Sequence, residues 1–250
     1  MDKNGIAQLN AYETDFVFHE IFEKNVYLRN GIRLDDNAVV IDVGANIGLF
    51  SLFIKTRCPS ARIHAFEPVP DAYRCLVENG AAFRDTFRAN NVAVSNRTGS
   101  AELTYYPGYS VISGLHANRD IDSCVIEAGM RGANVMGDAE IHETVSGRFR
   151  VVTRLTVRTE TLSEIIAHRR LEKISLLKID AERSEIPIVE GIDAGDWARI
   201  EQIVIEYHST ETRQLLERLL TSRAFRVTAV DDDRLGACGI GTLYATRSNE

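Results

Sequence analysis

A continuous apolar run that leads directly into a glycine-bracketed turn is the feature of this sequence that most constrains its fold. The run Ala38–Val43 (AVVIDV) is typical of a strand that is buried on both faces of a sheet. Gly44 and Gly48 bracket the turn, and glycine permits tight turns and close approach of a ligand to the backbone. A helix beginning near 46–48 would present free N–H groups and a partial positive charge to an anionic group. The pattern predicts an α/β sheet that binds a nucleotide at the carboxyl ends of its strands.

The detail of this turn narrows the choice of ligand. Asn46 stands where a dinucleotide-binding turn has its middle glycine, at the point where a pyrophosphate needs bare backbone. A ligand that carries a carboxylate therefore fits the turn better than a dinucleotide does. Glu67 ends the next predicted strand, about 20 residues on, where an acid typically holds the ribose hydroxyls of adenosine. The alternative is that Glu67 only caps the following helix.

Short apolar runs alternate with helical patterns along the rest of the chain, as is typical of an α/β fold. No internal repeat or Pro/Ser-rich linker interrupts this alternation, so a single domain over residues 1–250 is expected. Further strands are predicted at 62–66, 89–94, 101–106, 149–157, 174–180, 202–207, 225–230 and 242–246. Helices are predicted at 71–79, from 161 toward 168, at 185–191 and at 211–223.

Two stretches do not follow this alternation. Residues 1–33 contain an aromatic cluster and are interpreted as an N-terminal helical cap. Residues 107–148 are rich in glycine, with one predicted helix near 123–130, and are interpreted as a lid inserted over a substrate pocket, because loops of this length are usually functional or disordered. The core would then comprise 38–106 and 149–247.

Composition excludes several classes of function. The chain has 250 residues and a formal net charge of −7, without a lysine- or arginine-rich block, so nucleic acid is not an expected partner. No apolar run approaches the ~18–20 residues of a membrane span, and the N-terminus lacks the apolar core of a signal peptide. The four cysteines are scattered and form neither a disulfide framework nor a zinc motif. A cytoplasmic location is the expectation.

Five motifs in order make the sequence resemble the FkbM family of S-adenosylmethionine-dependent methyltransferases. They are DVGANIG (42–48), FEP (66–68), NVAVS (91–95), LLKID-x-E-x-x-E (176–185) and IEQIVIEYH (200–208). The segments 13–32, 105–115 and 176–185 resemble more closely the O-methyltransferase domains of polyketide and nonribosomal peptide assembly lines. Arg183 agrees with that subset, since much of the wider family has glycine at this position.

The resemblance implies a class I methyltransferase fold, Rossmann-like, with a mostly parallel seven-stranded sheet and helices on both faces. It also implies S-adenosylmethionine as the cofactor. Glu67 would accept hydrogen bonds from both ribose hydroxyls, and Asp42 would lie near the ammonium group of the amino-acid tail or near bridging waters. The residues implied in cofactor binding are Asp42, Gly44, Ala45, Asn46, Gly48, Glu67, Pro68, Asn91, Val92, Ala93 and Ser113.

His208 is the candidate general base. An imidazole with a pKa near 6.5 is mostly neutral at pH 7 and can accept a proton from a hydroxyl. Strand alternation places Glu206 on the same side as His208, where it could orient the ring. Asp180 and Glu182 follow the preceding strand and should converge on the same pocket. Glu185 and Arg183 are interpreted as helix-start and surface charges that could edge the pocket.

Several alternatives remain open from sequence. Asp180, Glu182 and His208 also suit a divalent metal, although a donor that is already activated needs no Lewis acid, so no metal is expected. The expected acceptor is a β-hydroxyacyl group on a carrier protein, such as an acyl carrier protein. A free small molecule with a carboxylate, sugar hydroxyl or amine is the alternative acceptor. A dehydrogenase is disfavoured by Asn46, and a non-catalytic carrier-docking module of the same fold is a further alternative.

Overall fold

The apolar run at 38–43 forms an interior strand of the main sheet in the computed structural model, which describes residues 5–133 and 137–247. The strands in these ranges are β1 (Val39–Val43), β2 (Arg62–Phe66), β3 (Phe87–Asn90), β4 (Ala93–Val94), β5 (Gly99–Tyr105), β6 (Thr153–Glu160), β7 (Leu176–Ile179), β8 (Gln202–Tyr207), β9 (Phe225–Asp231) and β10 (Gly241–Arg247). The α-helices are α1 (Ala11–Phe18), α2 (Leu49–Arg57), α3 (Pro70–Asn79), α4 (Arg119–Ala133), α5 (Asp138–Arg148), α6 (Leu162–Arg169), α7 (Glu185–Glu190) and α8 (Thr210–Ser222).

Seven strands form the main sheet in the order β3-β2-β1-β7-β8-β10-β9. Neighbouring strands from β3 to β8 pair in parallel, whereas β10 is antiparallel to both of its neighbours. The predicted mostly parallel seven-stranded sheet is therefore confirmed. Because β1, β2, β7 and β8 run the same way, the loops that follow them lie at one edge of the sheet.

Three of the predicted strands need correction. The strand expected at 89–94 is two strands, β3 in the main sheet and β4 in another sheet, separated at residues 91–92. The strands expected at 101–106 and 149–157 lie at Gly99–Tyr105 and Thr153–Glu160 and do not join the main sheet. They pair with each other in antiparallel fashion and form, with β4, a three-stranded sheet in the order β4-β6-β5.

Helices cover both faces of the main sheet, as predicted. Alternate residues of β1 enter two different apolar cores: Val39 and Ile41 point into one, and Val40 points into the other. The first core is closed by α6, α7 and α8, and the second by α2 and α3. Burial on both faces explains why β1 reads as an unbroken apolar run.

The two stretches outside the alternating pattern are largely helical. In the N-terminal stretch, α1 continues into a wide turn of π-helical type at His19–Glu23. The stretch from 107 to 148 holds α4 and α5, and the sequence pattern does not predict the second of these helices. Side chains of both pack around Tyr106 and Phe149 in a small apolar core of their own. Within the described ranges, no helix combines the length and the apolar character that crossing a membrane requires.

The turn after β1 depends on its two glycines because of how the protein packs against itself. Gly44 has φ +71°, and a Cβ atom there would lie 1.8 Å from the backbone oxygen of Asp180. Gly48 has φ +91°, and its Cβ would lie 2.7 Å from Leu76 Cδ1 in α3. From sequence, these glycines are expected to allow the approach of a ligand. Their closest constraint is instead the contact of the turn with the loop after β7 and with α3.

We expect Gly44→Ala to destabilise the fold by at least ~2 kcal/mol, because alanine is strained at this φ and its methyl group meets a backbone oxygen. The free energy of unfolding from urea titration measures the effect. Gly195→Ala is the matched control, since no other group lies within 4 Å of the place that its methyl group would take. Equal stability of the two variants would contradict the packing role assigned to Gly44.

Candidate active site

A cavity of about 340 Å³ lies at the carboxyl ends of the parallel strands. The turn after β1, residues 66–68 and the loops after β7 and β8 all line it. Side chains from α1 and α4 complete the wall. The cavity therefore lies at the strand edge where the sequence predicts a ligand, and it brings together residues from all five of the recognised motifs.

Glu67 is buried in the cavity wall and held by two backbone groups. Its Oε2 accepts the N–H of Asn46 at 2.8 Å, and its Oε1 accepts the N–H of Val69 at 2.8 Å. Burial raises the pKa of Glu67 to about 7, although these hydrogen bonds oppose the shift. Glu67 therefore fixes the turn after β1 and caps the start of α3. Each carboxylate oxygen keeps a second lone pair for a ligand.

The remaining residues predicted to bind the cofactor separate into two groups. Gly44, Ala45, Asn46, Pro68, Val92, Ala93 and Ser113 line the cavity. Asp42, Gly48 and Asn91 are not among the lining residues. Asn91 instead donates from Nδ2 to the backbone oxygens of Glu67 and Pro68, at 2.8 and 3.0 Å, and so supports the turn that carries Glu67. Ser113 accepts the N–H of Tyr106 at its Oγ, at 3.0 Å.

Lys178 is a buried cation that the sequence motifs do not mark as a site residue. Its Nζ lies 3.2 Å from Asp42 Oδ1 and 3.4 Å from Asp180 Oδ2, and it donates to the backbone oxygen of Gly44 at 2.9 Å. Burial alone would lower the pKa of Lys178, but the two carboxylates outweigh it and raise the pKa. Asp42 is thus engaged beneath the turn and would act on a ligand only through Lys178 and the turn. A lysine inside the apolar run LLKID is the sequence signal for such a buried anionic partner.

His208 lies between two carboxylates, one at each ring nitrogen. Nδ1 is 2.5 Å from Glu185 Oε1, and Nε2 is 3.2 Å from Glu182 Oε2. Burial alone would lower the pKa of His208, but Glu182 and Glu185 raise it well above 6.5. The two carboxylates therefore favour the imidazolium form of His208 in the free protein, and not the neutral imidazole expected at pH 7.

The contacts of Glu185 and Glu206 differ from those expected. Glu185 begins α7, as expected of a helix-start charge, but it does not lie at the surface. Its side chain is only 1% exposed and it contacts the imidazole directly. Glu206, expected to orient His208, is instead hydrogen-bonded to Asp180. Burial and Asp180 raise the pKa of Glu206 well above its usual value, so Glu206 carries the proton of that pair. Alternation along β8 correctly places Glu206 on the side of the strand that faces the cavity. It cannot identify Asp180 as the partner of Glu206.

Asp180 connects the two halves of the site. It accepts a hydrogen bond from the hydroxyl of Tyr27 at 2.8 Å and contacts Lys178. One oxygen or nitrogen atom from each of Asp180, Glu182 and His208 lies within 4.8 Å of the other two. A metal ion there would require His208 to lose a proton and its contact with Glu182. That the site works without a metal stays a prediction.

The N-terminal stretch and the segment from 107 to 148 are tied together over the cavity. Glu13 is buried and accepts hydrogen bonds from the backbone N–H and the Oγ of Ser110, the latter at 2.7 Å. The guanidinium of Arg148 lies 4.6 Å from the ring centre of Tyr12 and 4.9 Å from that of Tyr109. Sequence reasoning misses these contacts because the partners are far apart along the chain.

Comparison with known proteins points to one family. Residues 42–227 match the family model described as the methyltransferase FkbM domain. The 31-O-demethyl-FK506 methyltransferase FkbM of Streptomyces tacrolimicus is 34% identical over 250 residues, which cover 97% of this chain and 94% of that protein. The methyltransferase sdnD of Sordaria araneosa is 30% identical over 242 residues, covering 91% of this chain and 88% of that protein.

A third relative is much longer than this chain. The AMB antimetabolite synthetase AmbE of Pseudomonas aeruginosa is 37% identical over 256 residues. The match covers 97% of this chain but only 12% of AmbE. The chain therefore corresponds to one segment of that synthetase and to nearly the whole of the other two relatives.

We expect His208 to titrate well above pH 6.5 in the free protein, and Glu185→Gln to lower that pKa, because the variant removes a buried carboxylate from Nδ1. Histidine NMR titration measures both values, with the resonance assigned by its loss in His208→Gln. Glu23→Gln, which removes a carboxylate from His19 at the surface, is the control and should leave His208 unchanged.

The sign of the accompanying stability effect follows from the raised pKa. The stability that His208 gains from Glu182 and Glu185 is fully present below pH about 6.5 and is lost as the pH rises through its folded-state pKa. Free energies of unfolding of the protein and of His208→Gln should therefore converge with rising pH. A difference that grows with pH would contradict the assigned charge state.

Proposed function

Because the chain belongs to the FkbM methyltransferase family, we propose that it transfers a methyl group from S-adenosylmethionine to a hydroxyl of a natural-product intermediate. The observation that carries this proposal is a single cavity lined both by Glu67 and by His208 with its partner Glu182. Glu67 marks the place of the cofactor, and His208 marks the place of the acceptor.

The residues around Glu67 fit S-adenosylmethionine. The carboxylate of Glu67 faces the cavity with acceptor positions left for two ribose hydroxyls. Val92 and Ala93 offer apolar atoms to the face of an adenine ring. Asp180 and Glu182, beside His208, favour a positively charged ligand. When bound, S-adenosylmethionine supplies a methyl group that its sulfonium already activates.

His208 would remove the proton from the acceptor hydroxyl at Nε2, the nitrogen that meets Glu182 in the free protein. For this role the imidazolium would first have to give up its Nε2 proton, and the carboxylate of Glu182, which meets Nε2, would accept it. The neutral Nε2 would then take the hydroxyl proton as the oxygen gains the methyl group, and the bonding electron pair would stay on the sulfur of the donor. Glu185 holds Nδ1 from the buried side, so the ring is oriented and its positive charge is compensated after the transfer. A positioned base of this kind contributes roughly 10²–10⁴-fold to the rate.

A hydroxyl fits the acceptor position better than a carboxylate does. Asp180 and Glu182 line the cavity beside His208, and Glu185 lies directly behind the ring. An anionic acceptor would be placed against this group of acids, where like charges repel in a medium of low dielectric constant. A neutral hydroxyl escapes that repulsion and also needs the base that the site provides.

The same proposal includes whether the acceptor reaches the site as a free molecule or bound to a carrier protein. We infer a β-hydroxyacyl group borne on a carrier protein, since the match to AmbE lies within a much longer synthetase. Leu9, Tyr12 and Phe16 line the cavity and are 37%, 52% and 44% exposed, so the cavity wall continues into an apolar outer surface. An acyl chain or its carrier could rest on this surface while the hydroxyl reaches His208.

We expect Glu67→Gln to raise the dissociation constant of S-adenosylmethionine by about 10- to 100-fold, since a charged hydrogen-bond acceptor is worth about 1.5–3 kcal/mol. Isothermal titration calorimetry measures the constant. Glu102→Gln, a surface carboxylate paired with Arg154, is the control and should bind like the unmodified protein. Unchanged binding in Glu67→Gln would remove this residue from the cofactor site.

We expect His208→Ala to bind S-adenosylmethionine normally but to lose methyl transfer by at least about 100-fold. Mass spectrometry should follow methyl transfer to a 3-hydroxyacyl group on a carrier protein, to the free 3-hydroxy acid and to a carboxylic acid without a hydroxyl. Transfer to the carrier-bound hydroxyl alone supports the whole proposal, and transfer to the carboxylic acid would contradict it. Cofactor binding without turnover on any acceptor would favour the non-catalytic docking module.

A further inference from the structure

The turn between β7 and α7 presents Glu182 to His208 in an unfavourable backbone conformation. Glu182 has φ +28° and Arg183 has φ +61°, and neither residue is glycine. Two successive residues in the left-handed region cost conformational free energy and persist only where surrounding contacts impose them. The contacts that impose this turn therefore also decide where the Glu182 carboxylate lies.

The main tie to this turn comes from α4, outside the main sheet. The guanidinium of Arg183 is paired with the carboxylate of Asp122, which is only 3% exposed. Asp122 also accepts the backbone N–H of Asn118 at 2.8 Å and so belongs to the first turn of α4. The backbone N–H of Arg183 donates to Glu185 Oε1, the same oxygen that meets His208 Nδ1.

The same segment of the chain makes a second, steric contact with this turn. A Cβ atom on Gly114 would lie 3.2 Å from both the Cβ and the backbone oxygen of Glu182, so this glycine permits a close approach. Gly114 is itself held to Thr104 of β5 by two backbone hydrogen bonds of 3.1 Å. The segment that carries α4 thus meets the turn at two points, one ionic and one steric.

The same helix also forms part of the cavity wall. Val125, Ile126 and Met130 of α4 line the cavity, one to two helical turns beyond Asp122. A change in the position of α4 would therefore alter both the cavity wall that a ligand contacts and the turn that carries Glu182.

We propose that Asp122 and Arg183 are positioning residues for methyl transfer: their ion pair holds the turn that sets Glu182 against His208, so that the catalytic arrangement forms only when α4 is seated on the cavity. This inference rests on the proposed function, since it concerns the residues that would handle the acceptor proton. Neither residue needs to touch the reacting atoms.

Arg183→Gly is the sharpest test. Glycine adopts φ +61° without strain, so the variant loses the ion pair while the turn stays accessible to the chain. Asp122→Asn removes the other charge at nearly constant shape. We expect kcat to fall about 10- to 100-fold in each variant, with the dissociation constant of S-adenosylmethionine within about twofold of the original. The double variant should lose no more than either single variant, because both remove one interaction.

Two further variants distinguish a positioning role of the ion pair from a general disruption of the structure around α4. Arg183→Lys keeps the positive charge and should retain more kcat than Arg183→Gly. Arg131→Gln removes the ion pairs of an exposed guanidinium with Glu127 on the same helix and with Asp138 of α5, and it should leave kcat unchanged. If Arg131→Gln lowers kcat as much as Arg183→Gly does, the effect belongs to the helix as a whole and the proposal is wrong.

The NMR titration of His208 tests the positioning role by a measurement that does not depend on methyl transfer. If the ion pair holds Glu182 in place, Arg183→Gly should lower the pKa of His208, because Glu182 is free to move away from Nε2. Loss of the guanidinium alone would raise that pKa, so the direction of the shift is decisive in this variant. Asp122→Asn is not decisive here, because Asp122 also acts on His208 directly. Asp180, Glu185 and Glu206 also face this region and are the same in every variant. An unshifted titration would overturn the positioning role, even in an active enzyme. A shifted titration without methyl transfer to any acceptor would instead count against the proposed function.

Discussion

The buried ammonium group of Lys178 is the interaction on which the rest of the site depends. It contacts Asp42 in β1, Asp180 after β7 and the backbone oxygen of Gly44, and so joins the two central strands at the point where their loops diverge. A buried cation is costly unless it is paired, and a buried carboxylate is equally costly without the cation. The three groups therefore have to be present together. Once they are, the glycine turn and the loop after β7 are held against each other, and both line the cavity.

The negative charges of the acidic side chains around the cavity are balanced by two cationic side chains and reduced by one carboxyl group that favours its protonated form. Lys178 compensates Asp42 and Asp180, His208 compensates Glu182 and Glu185, and Glu206 keeps a proton because Asp180 lies beside it. The raised pKa values of His208 and Glu206 favour the protonated forms of both side chains. A positively charged ligand entering this region would change that balance by favouring the ionised carboxyl groups. In the proposed reaction, cofactor binding and the charge of His208 would therefore be coupled through the same few side chains.

Most of the sheet and the place of the cavity could be predicted from local patterns, because a buried parallel strand reads as an apolar run and its carboxyl end marks the ligand-binding edge. Glu67 and His208 could be located for that reason, and the family motifs supported both. The partners of these residues could not be predicted in the same way. Glu185 reads as a surface charge in the sequence because its burial depends on the packing of α7 against β8, and the charge of His208 follows from that packing. The single strand expected at 89–94 is wrong because the chain changes sheets between Asn90 and Ala93, and such a change depends on tertiary packing and not on a local pattern.

The segments that local patterns describe least well are those that close the cavity. Glu13 and Ser110 join the N-terminal stretch to the segment before α4, and Asp122 joins α4 to the turn that carries Glu182. Each tie is a buried carboxylate, and each such group would be costly to bury if its partner moved away. The cover of the cavity is thus held by specific polar contacts at its two sides, with apolar side chains between them. In the proposed reaction such a cover would exclude water where a proton leaves a hydroxyl, and breaking a small number of contacts would open it. The chemistry of the site and access to it therefore depend on the same few ion pairs and hydrogen bonds.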